Sequence, residues 1–169
     1  FDAVQSARLK RSRLFIEDRK LFLHCIRKEI ASFLMRCDRT GARPAIRLNG
    51  TSDLPWERID PSLFTDFPNC QFYDYTKSLK RAVGVLPDNY HLTFSRSENN
   101  WESCLQVLRA GVNVAAVVDP SLMERKKIAG WKCHGGDQHD LRFLDPSPRL
   151  ILLAAKGKAK SDQSGFVIR

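Results

Sequence analysis

Four short segments of this 169-residue chain gather side chains that can hold or transform a polar ligand: Asn49-Gly50-Thr51-Ser52-Asp53, Asp74-Tyr75-Thr76-Lys77, Ser95-Arg96-Ser97-Glu98 and the single Asp119. Each lies at the end of a short β-rich run. In a parallel sheet such ends share one rim, where loops from successive strands converge and ligands bind. Taken singly these are ordinary loop residues, since Ser52, Asp53 and Ser97 also suit turns and caps. Four strands ending alike favour a ligand site on a common rim. Gly50 adds a turn whose backbone N–H groups a phosphate or carboxylate can approach closely. The chain has no GxxxxGK[ST] loop, no GxGxxG fingerprint and no nucleophile elbow for acyl transfer.

Strand alternation sorts these side chains further, because neighbours along a strand point to opposite faces. Ile46 and Leu48 share one face, with Arg47 and Asn49 on the other; Tyr90, Leu92 and Phe94 oppose His91, Thr93 and Ser95. With the apolar faces on helices, Arg47, Asn49, His91, Thr93 and Ser95 line the concave side, and Asp74 is the expected partner of Arg47. A buried polar cluster needs complete internal hydrogen bonding or a polar ligand. In the ligand reading, Asn49, Thr51 and Asp53 hold an amine or hydroxyl, and Asp74 and Lys77 orient it. His91, Ser95, Arg96 and Glu98 complete the wall of an anion-accepting pocket.

Two other groups compete for attention. Asp137 and His139, following Cys133-His134, are metal-ligand types but have no partner pair at a recognised spacing, so no metal is expected. Lys plus Arg outnumber Asp plus Glu by 28 to 19, for a net charge of +9, which favours anionic partners. Arg8, Lys10, Arg11 and Arg13 form the densest basic cluster, and Lys156, Lys158 and Lys160 a second; together they carry the alternative reading, a nucleic-acid-binding protein. A noncatalytic interaction protein is a third.

The elements that must position these residues are legible in outline. Val4–Phe15 reads as a helix, Asp18–Cys37 as an amphipathic helix with Phe22, Ile26, Ile30 and Leu34 on one side, closed by Gly41. Five strands are expected at Pro44–Asn49, Cys70–Tyr75, Tyr90–Ser95, Asn113–Asp119 and Arg149–Ala155. Helical segments fall at Pro61–Phe67 and from Trp101 to Ala110, a hairpin or irregular insert over Ile128–Asp145, and a loop or tail over Lys156–Ser164. Strands alternating with helices predict an α/β fold with a mainly parallel curved sheet, a partial or TIM-like barrel behind an N-terminal helical segment. One domain is expected over 1–169: a helical lead-in at 1–40, a core at 44–155 and a basic tail at 156–169. Five scattered cysteines predict small buried hydrophobes in a reducing cytoplasm rather than disulfides. No apolar stretch approaches the roughly 20 residues of a membrane span. The start at Phe1, without Met or leader, predicts a piece lacking its natural beginning.

Five ordered blocks carry a resemblance: Arg47–Glu57, Phe72–Lys77, Asn89–Ser95, Asp140–Asp145 and Lys156–Lys160. Together they resemble the phage gene product eighty-eight family over nearly the whole chain. The resemblance implies a lineage in phages and prophages, not a reaction. It also implies, in longer members, an upstream segment of the form CPxxxxGCxxxC, whose thiolates suit an iron–sulfur cluster. The Asn-Gly-Thr-Ser-Asp turn is similar to one that radical S-adenosylmethionine enzymes place after an early strand. The cluster and S-adenosylmethionine would then belong to longer relatives. The present chain, without those cysteines, is expected to be inactive in such chemistry.

Overall fold

A computed structural model describes residues 2–169. Two helices open it, α1 (Asp2–Glu17) and α2 (Arg19–Thr40). Asp18 separates them: its backbone leaves the helical region, and its carboxylate accepts the Leu21 N–H at 2.9 Å. Gly41 ends α2 in the left-handed region at φ 67°, with its N–H turned back to the Asp38 carbonyl. The two helices differ in how they are held. α1 buries no residue, whereas α2 packs Phe22, Ile26, Ile30 and Leu34 into the core, as its apolar spacing requires.

Seven strands follow: β1 (Ala45–Arg47), β2 (Gln71–Thr76), β3 (Tyr90–Ser95), β4 (Val114–Val118), β5 (Lys127–Ile128), β6 (Trp131–Gly135) and β7 (Leu150–Ala154). They form one sheet in the order β1-β2-β3-β4-β7-β6-β5. Every neighbouring pair is parallel except the β5–β6 hairpin. All five expected strands are present, within two residues at either end. The insert does contain a hairpin, but β6 is also a full member of the parallel sheet, which the glycines around it concealed. The sheet is open, with β1 and β5 as its edges, so the fold is α/β but not a closed TIM-like barrel.

Helices cover one face of the sheet. α2, α3 (Trp56–Ile59) and α4 (Ser62–Asp66) enclose a cluster of Ile30, Trp56, Leu63, Phe64, Phe72, Tyr90 and Leu92. Near α5 (Leu79–Ala82) and α6 (Trp101–Arg109), a second cluster joins Phe94, Val107, Leu108, Val114, Leu150 and Leu152. Each fully buried aliphatic or aromatic side chain here contributes about 1.5–3 kcal/mol relative to exposure. The alternation read from β3 is therefore correct: Tyr90, Leu92 and Phe94 face the helices.

The other face is covered by a chain segment. From β1 to β4 the chain advances across the sheet in one direction, but from β6 to β7 it steps back. A connection of the same hand must then cross the opposite face. Residues 136–149 do so, with a 3-10 turn at Arg142–Leu144, and Phe143 packs on Tyr73 with ring centroids 5.4 Å apart.

The C-terminal residues form a turn and a return to the sheet. After a 3-10 turn at Gly157–Ser161, the chain returns to β4, where Ile168 pairs in parallel with Val118. The Ile168 N–H reaches Val117 O at 3.0 Å, and the Asp119 N–H reaches Ile168 O at 2.8 Å. β3 pairs with β4 only through Phe94 and Ser95, and the returning segment takes the edge of β4 that β3 leaves free.

Candidate functional site

Because β1, β2 and β3 are parallel, their carboxyl ends deliver polar turns to one place. Gly50–Asp53 after β1, Tyr75–Lys77 at the end of β2, Ser95 of β3 and the Arg47 side chain line a hollow of about 260 Å³. Asp53 organises it. One carboxylate oxygen accepts the Lys77 N–H at 2.8 Å and the Thr76 hydroxyl at 3.1 Å, and the other pairs with Arg81. The Lys77 side chain is exposed and, among the described residues, makes no ion pair. The Ser95 carbonyl accepts from Asn100 Nδ2 at 3.0 Å, tying β3 to the start of α6.

Arg47 lies on the second face, but its partner is not Asp74. Its Nη1 meets Asp140 Oδ2 at 3.1 Å, its Nε donates to Asn49 O at 3.0 Å, and its guanidinium carbon sits 4.7 Å from the Tyr75 ring centroid. The Tyr75 hydroxyl donates to Asp140 Oδ1 at 2.9 Å. Burial, then the Asp140 carboxylate, pushes the Tyr75 phenol far above its ordinary range. Strand parity explains the correction. Tyr73 and Tyr75 occupy the second face, so Asp74 between them points toward the helices. Asn49 does not share the Arg47 face either, because β1 ends at Arg47 and alternation stops there.

Asn49 and Asp74 instead form a closed network under the hollow. Fully buried Asp74 accepts the Asn49 N–H at 2.7 Å, Asn49 Nδ2 at 3.0 Å and the Tyr90 hydroxyl at 2.8 Å. Asn49 Oδ1 accepts from Ser52 Oγ, the Leu54 N–H and Trp56 Nε1, which shapes the turn above it. Tyr90 in turn accepts from Arg81 Nη2 at 3.2 Å, and Arg81 grips Glu57 through two bonds of 2.9 Å. Burial raises the Asp74 pKa to about 6 despite the bonds from Asn49 and Tyr90. Burial opposes the Arg81 charge, and Glu57, Tyr90 and Asp53 together outweigh it and raise the pKa. Arg81 and Glu57 sit in the four-residue helices α5 and α3, and no periodicity in the sequence marks them.

The remaining wall residues lie apart from the hollow. His91 and buried Thr93 occupy the second face, with Thr93 Oγ1 3.3 Å from His91 Nε2. Burial lowers the His91 pKa, against the opposing pull of Asp145. Beside them lies a buried ion pair, Arg142 Nη1 to Asp145 Oδ2 at 3.2 Å, with His134 Nε2 3.8 Å from Asp145 Oδ1. Arg96 donates to the Phe166 carbonyl of the returning C-terminal segment, so its guanidinium is covered. Glu98 is exposed.

Asp137 accepts the Ala154 N–H at 3.3 Å and pairs with Lys156 at 3.2 Å, while the His139 carbonyl accepts from Arg142. Among the described residues no three His, Cys, Asp or Glu side chains gather as a metal site. The residues present do not fit an iron–sulfur cluster, since the five cysteines are free and dispersed over α2, the start of β2, α6 and β6. Cys37, Cys70 and Cys104 are buried as expected, but Cys25 and Cys133 are only half-buried. Burial lifts Cys70 to about 12 and Cys104 to about 11, which keeps both as thiols. Arg8, Lys10, Arg11 and Arg13 are exposed along α1. Among the described residues no helix is long and apolar enough to cross a membrane.

No curated protein and no solved structure matches the chain. The family model described as Gene product 88 matches residues 1–169. This end-to-end match agrees with the five sequence blocks, and the chain belongs to the phage Gene product 88 family.

Proposed function

We propose that the protein binds a small oxyanion, inorganic phosphate or a small phosphomonoester, in the hollow at the carboxyl ends of β1, β2 and β3. The observation that carries this reading is that Lys77, without an ion pair among the described residues, lines a hollow of about 260 Å³ together with Thr51, Ser52 and Ser95. Of the charged lining residues, Asp53 is paired with Arg81 and Arg47 with Asp140, which leaves Lys77 as the lining charge without an ion pair among the described residues. Ligand pockets for drug-sized molecules run from about 300 to 1,000 Å³, so this hollow suits a few heavy atoms or the phosphate end of something larger. Lys77 supplies the charge, while Thr51 and the Gly50 turn supply donors. Asn49 and Asp74 act from beneath, by fixing the turn. No bond-breaking step is assigned.

Isothermal titration of the full chain with inorganic phosphate, at fixed ionic strength in chloride, tests the reading. Lys77→Ala should lower affinity at least about ten-fold, the worth of a charge-assisted hydrogen bond, and Thr51→Ala by a smaller factor. Absence of phosphate binding, or full binding by both variants, would overturn it.

One observation favours a nucleic-acid interface as a second reading: α1 exposes Arg8, Lys10, Arg11 and Arg13 and buries nothing of its own. Lys158 and Lys160 are exposed as well, whereas Lys156 is paired with Asp137. Such binding must weaken steeply with salt and flatten when the four α1 residues become Gln. Binding that ignores salt excludes it.

A further inference from the structure

The charges around the hollow do not stop at its lining. Arg47 and Lys77 bring two positive charges and Asp53 one negative, so the lining taken alone favours an anion. Asp140 cancels that surplus. It reaches in from the segment between β6 and β7, takes Arg47 Nη1 at 3.1 Å, and accepts the Tyr75 hydroxyl at 2.9 Å with its other oxygen. Both residues it holds line the hollow, while Asp140 itself lies outside and is half exposed. A carboxylate in this position lowers the potential that Arg47 offers to any incoming oxyanion, even where the two do not share a donor.

We infer that Asp140 is a built-in competitor for the oxyanion site, so that a ligand on Arg47 and the Asp140 contact that fastens residues 136–149 to the sheet weaken each other. The inference rests on the oxyanion reading and adds a control to the same site. Its physical basis is linkage: if Asp140 reduces ligand affinity by some factor, bound ligand reduces the hold on Asp140 by the same factor. The factor is modest. Arg47 and Asp140 side chains are 33% and 55% exposed, and such pairs are screened by water. Three holds on the sheet remain when Asp140 lets go: the Phe143 contact with Tyr73, the Gly136 N–H on the Leu152 carbonyl at 2.8 Å, and the Arg149 N–H on Asn113 Oδ1 at 2.8 Å. The freed part is therefore the short exposed stretch around Asp140, not the whole crossing.

The test titrates inorganic phosphate into the 169-residue chain and into Asp140→Asn, and follows the backbone mobility of residues 138–141 by NMR relaxation with and without phosphate. Asp140→Asn should bind phosphate about two- to five-fold more tightly, and mobility at 138–141 in the unsubstituted protein should rise when phosphate is added. Equal or weaker binding by Asp140→Asn, with phosphate still seated as judged by a shift of the Lys77 amide, overturns the inference and leaves the oxyanion reading intact. It would make Asp140 a support that aims Arg47. Unchanged or lower mobility of 138–141 on phosphate addition also overturns the inference, and this arm needs no substitution. Failure of both proteins to bind phosphate removes the oxyanion reading and this inference together.

Discussion

The Tyr90 hydroxyl donates to Asp74 Oδ2 at 2.8 Å, and both groups are buried. This contact joins the first residue of β3 to the middle of β2 on the helix side and passes the connection on to Arg81. Tyr90→Phe removes the hydroxyl without changing the ring packed on Phe64. It leaves Asp74 short of one donor and Arg81 short of one acceptor. The expected loss is about 1–3 kcal/mol, the cost of leaving a buried polar group unsatisfied. Urea denaturation checks it, with a shifted midpoint and an unchanged slope.

Asp74 should give the fold a distinct pH response. Burial holds its pKa near 6 in the folded chain, against about 3.9 in an unfolded one. Between those values the folded state keeps a proton that the unfolded state has released. Stability from this group is thus full below about pH 4 and falls as pH rises through 6, by on the order of 2–3 kcal/mol. Asp74→Asn should abolish that slope. Urea midpoints at half-unit pH steps from 4 to 7, compared between the two proteins, decide the matter.

Arg81 holds Glu57 and Asp53 together, and its side chain is only 6% exposed. Arg81→Met keeps much of the length and removes the charge, stranding the Glu57 carboxylate at 10% exposure. Breaking a buried pair on one side costs about 3–5 kcal/mol. Double substitution with Glu57→Gln should recover part of the loss, which a double-mutant cycle by thermal denaturation measures.

Gly136 is required for space rather than for an unusual backbone angle. A Cβ there would press on the Arg142 guanidinium and an Ile151 methyl, and would lie 2.9 Å from Leu153 Cδ2. Arg142 and Ile151 are almost fully buried and cannot swing away. Gly136→Ala should cost about 1–3 kcal/mol by overpacking. Hydrogen exchange localised to residues 136–149 would separate this effect from a general weakening.

How much was legible follows from which rules were local. Strands announced themselves through runs such as Val114–Val118, and the end of α2 through Gly41, because both signals live in adjacent residues. The parallel arrangement followed from the helices between strands. The pairing of Arg47 was not legible: parity along β2 already turns Asp74 away from it, but Asp140 is 93 residues distant in sequence. β6 was hidden for a related reason, since its glycines and charges read as a turn until β7 supplies the pairing partner. The roles of Arg81, Glu57 and the Tyr90 hydroxyl were not legible, because a polar head on a short helix, or a hydroxyl on an apolar strand face, gains meaning only from its neighbours in space. On the rim, the sequence identified Thr51, Asp53, Lys77 and Ser95 as neighbours, and they do surround one hollow. It did not distinguish these from Asn49 and Asp74, whose polar atoms are consumed below.

The backward step from β6 to β7 has a consequence for the face it covers. Phe143 lies on Tyr73 and Asp145 acts on His91, while Thr93, Arg142 and Asp145 are buried. Polar side chains there belong to an interior layer, and substituting Thr93 alters packing rather than a wall open to solutes.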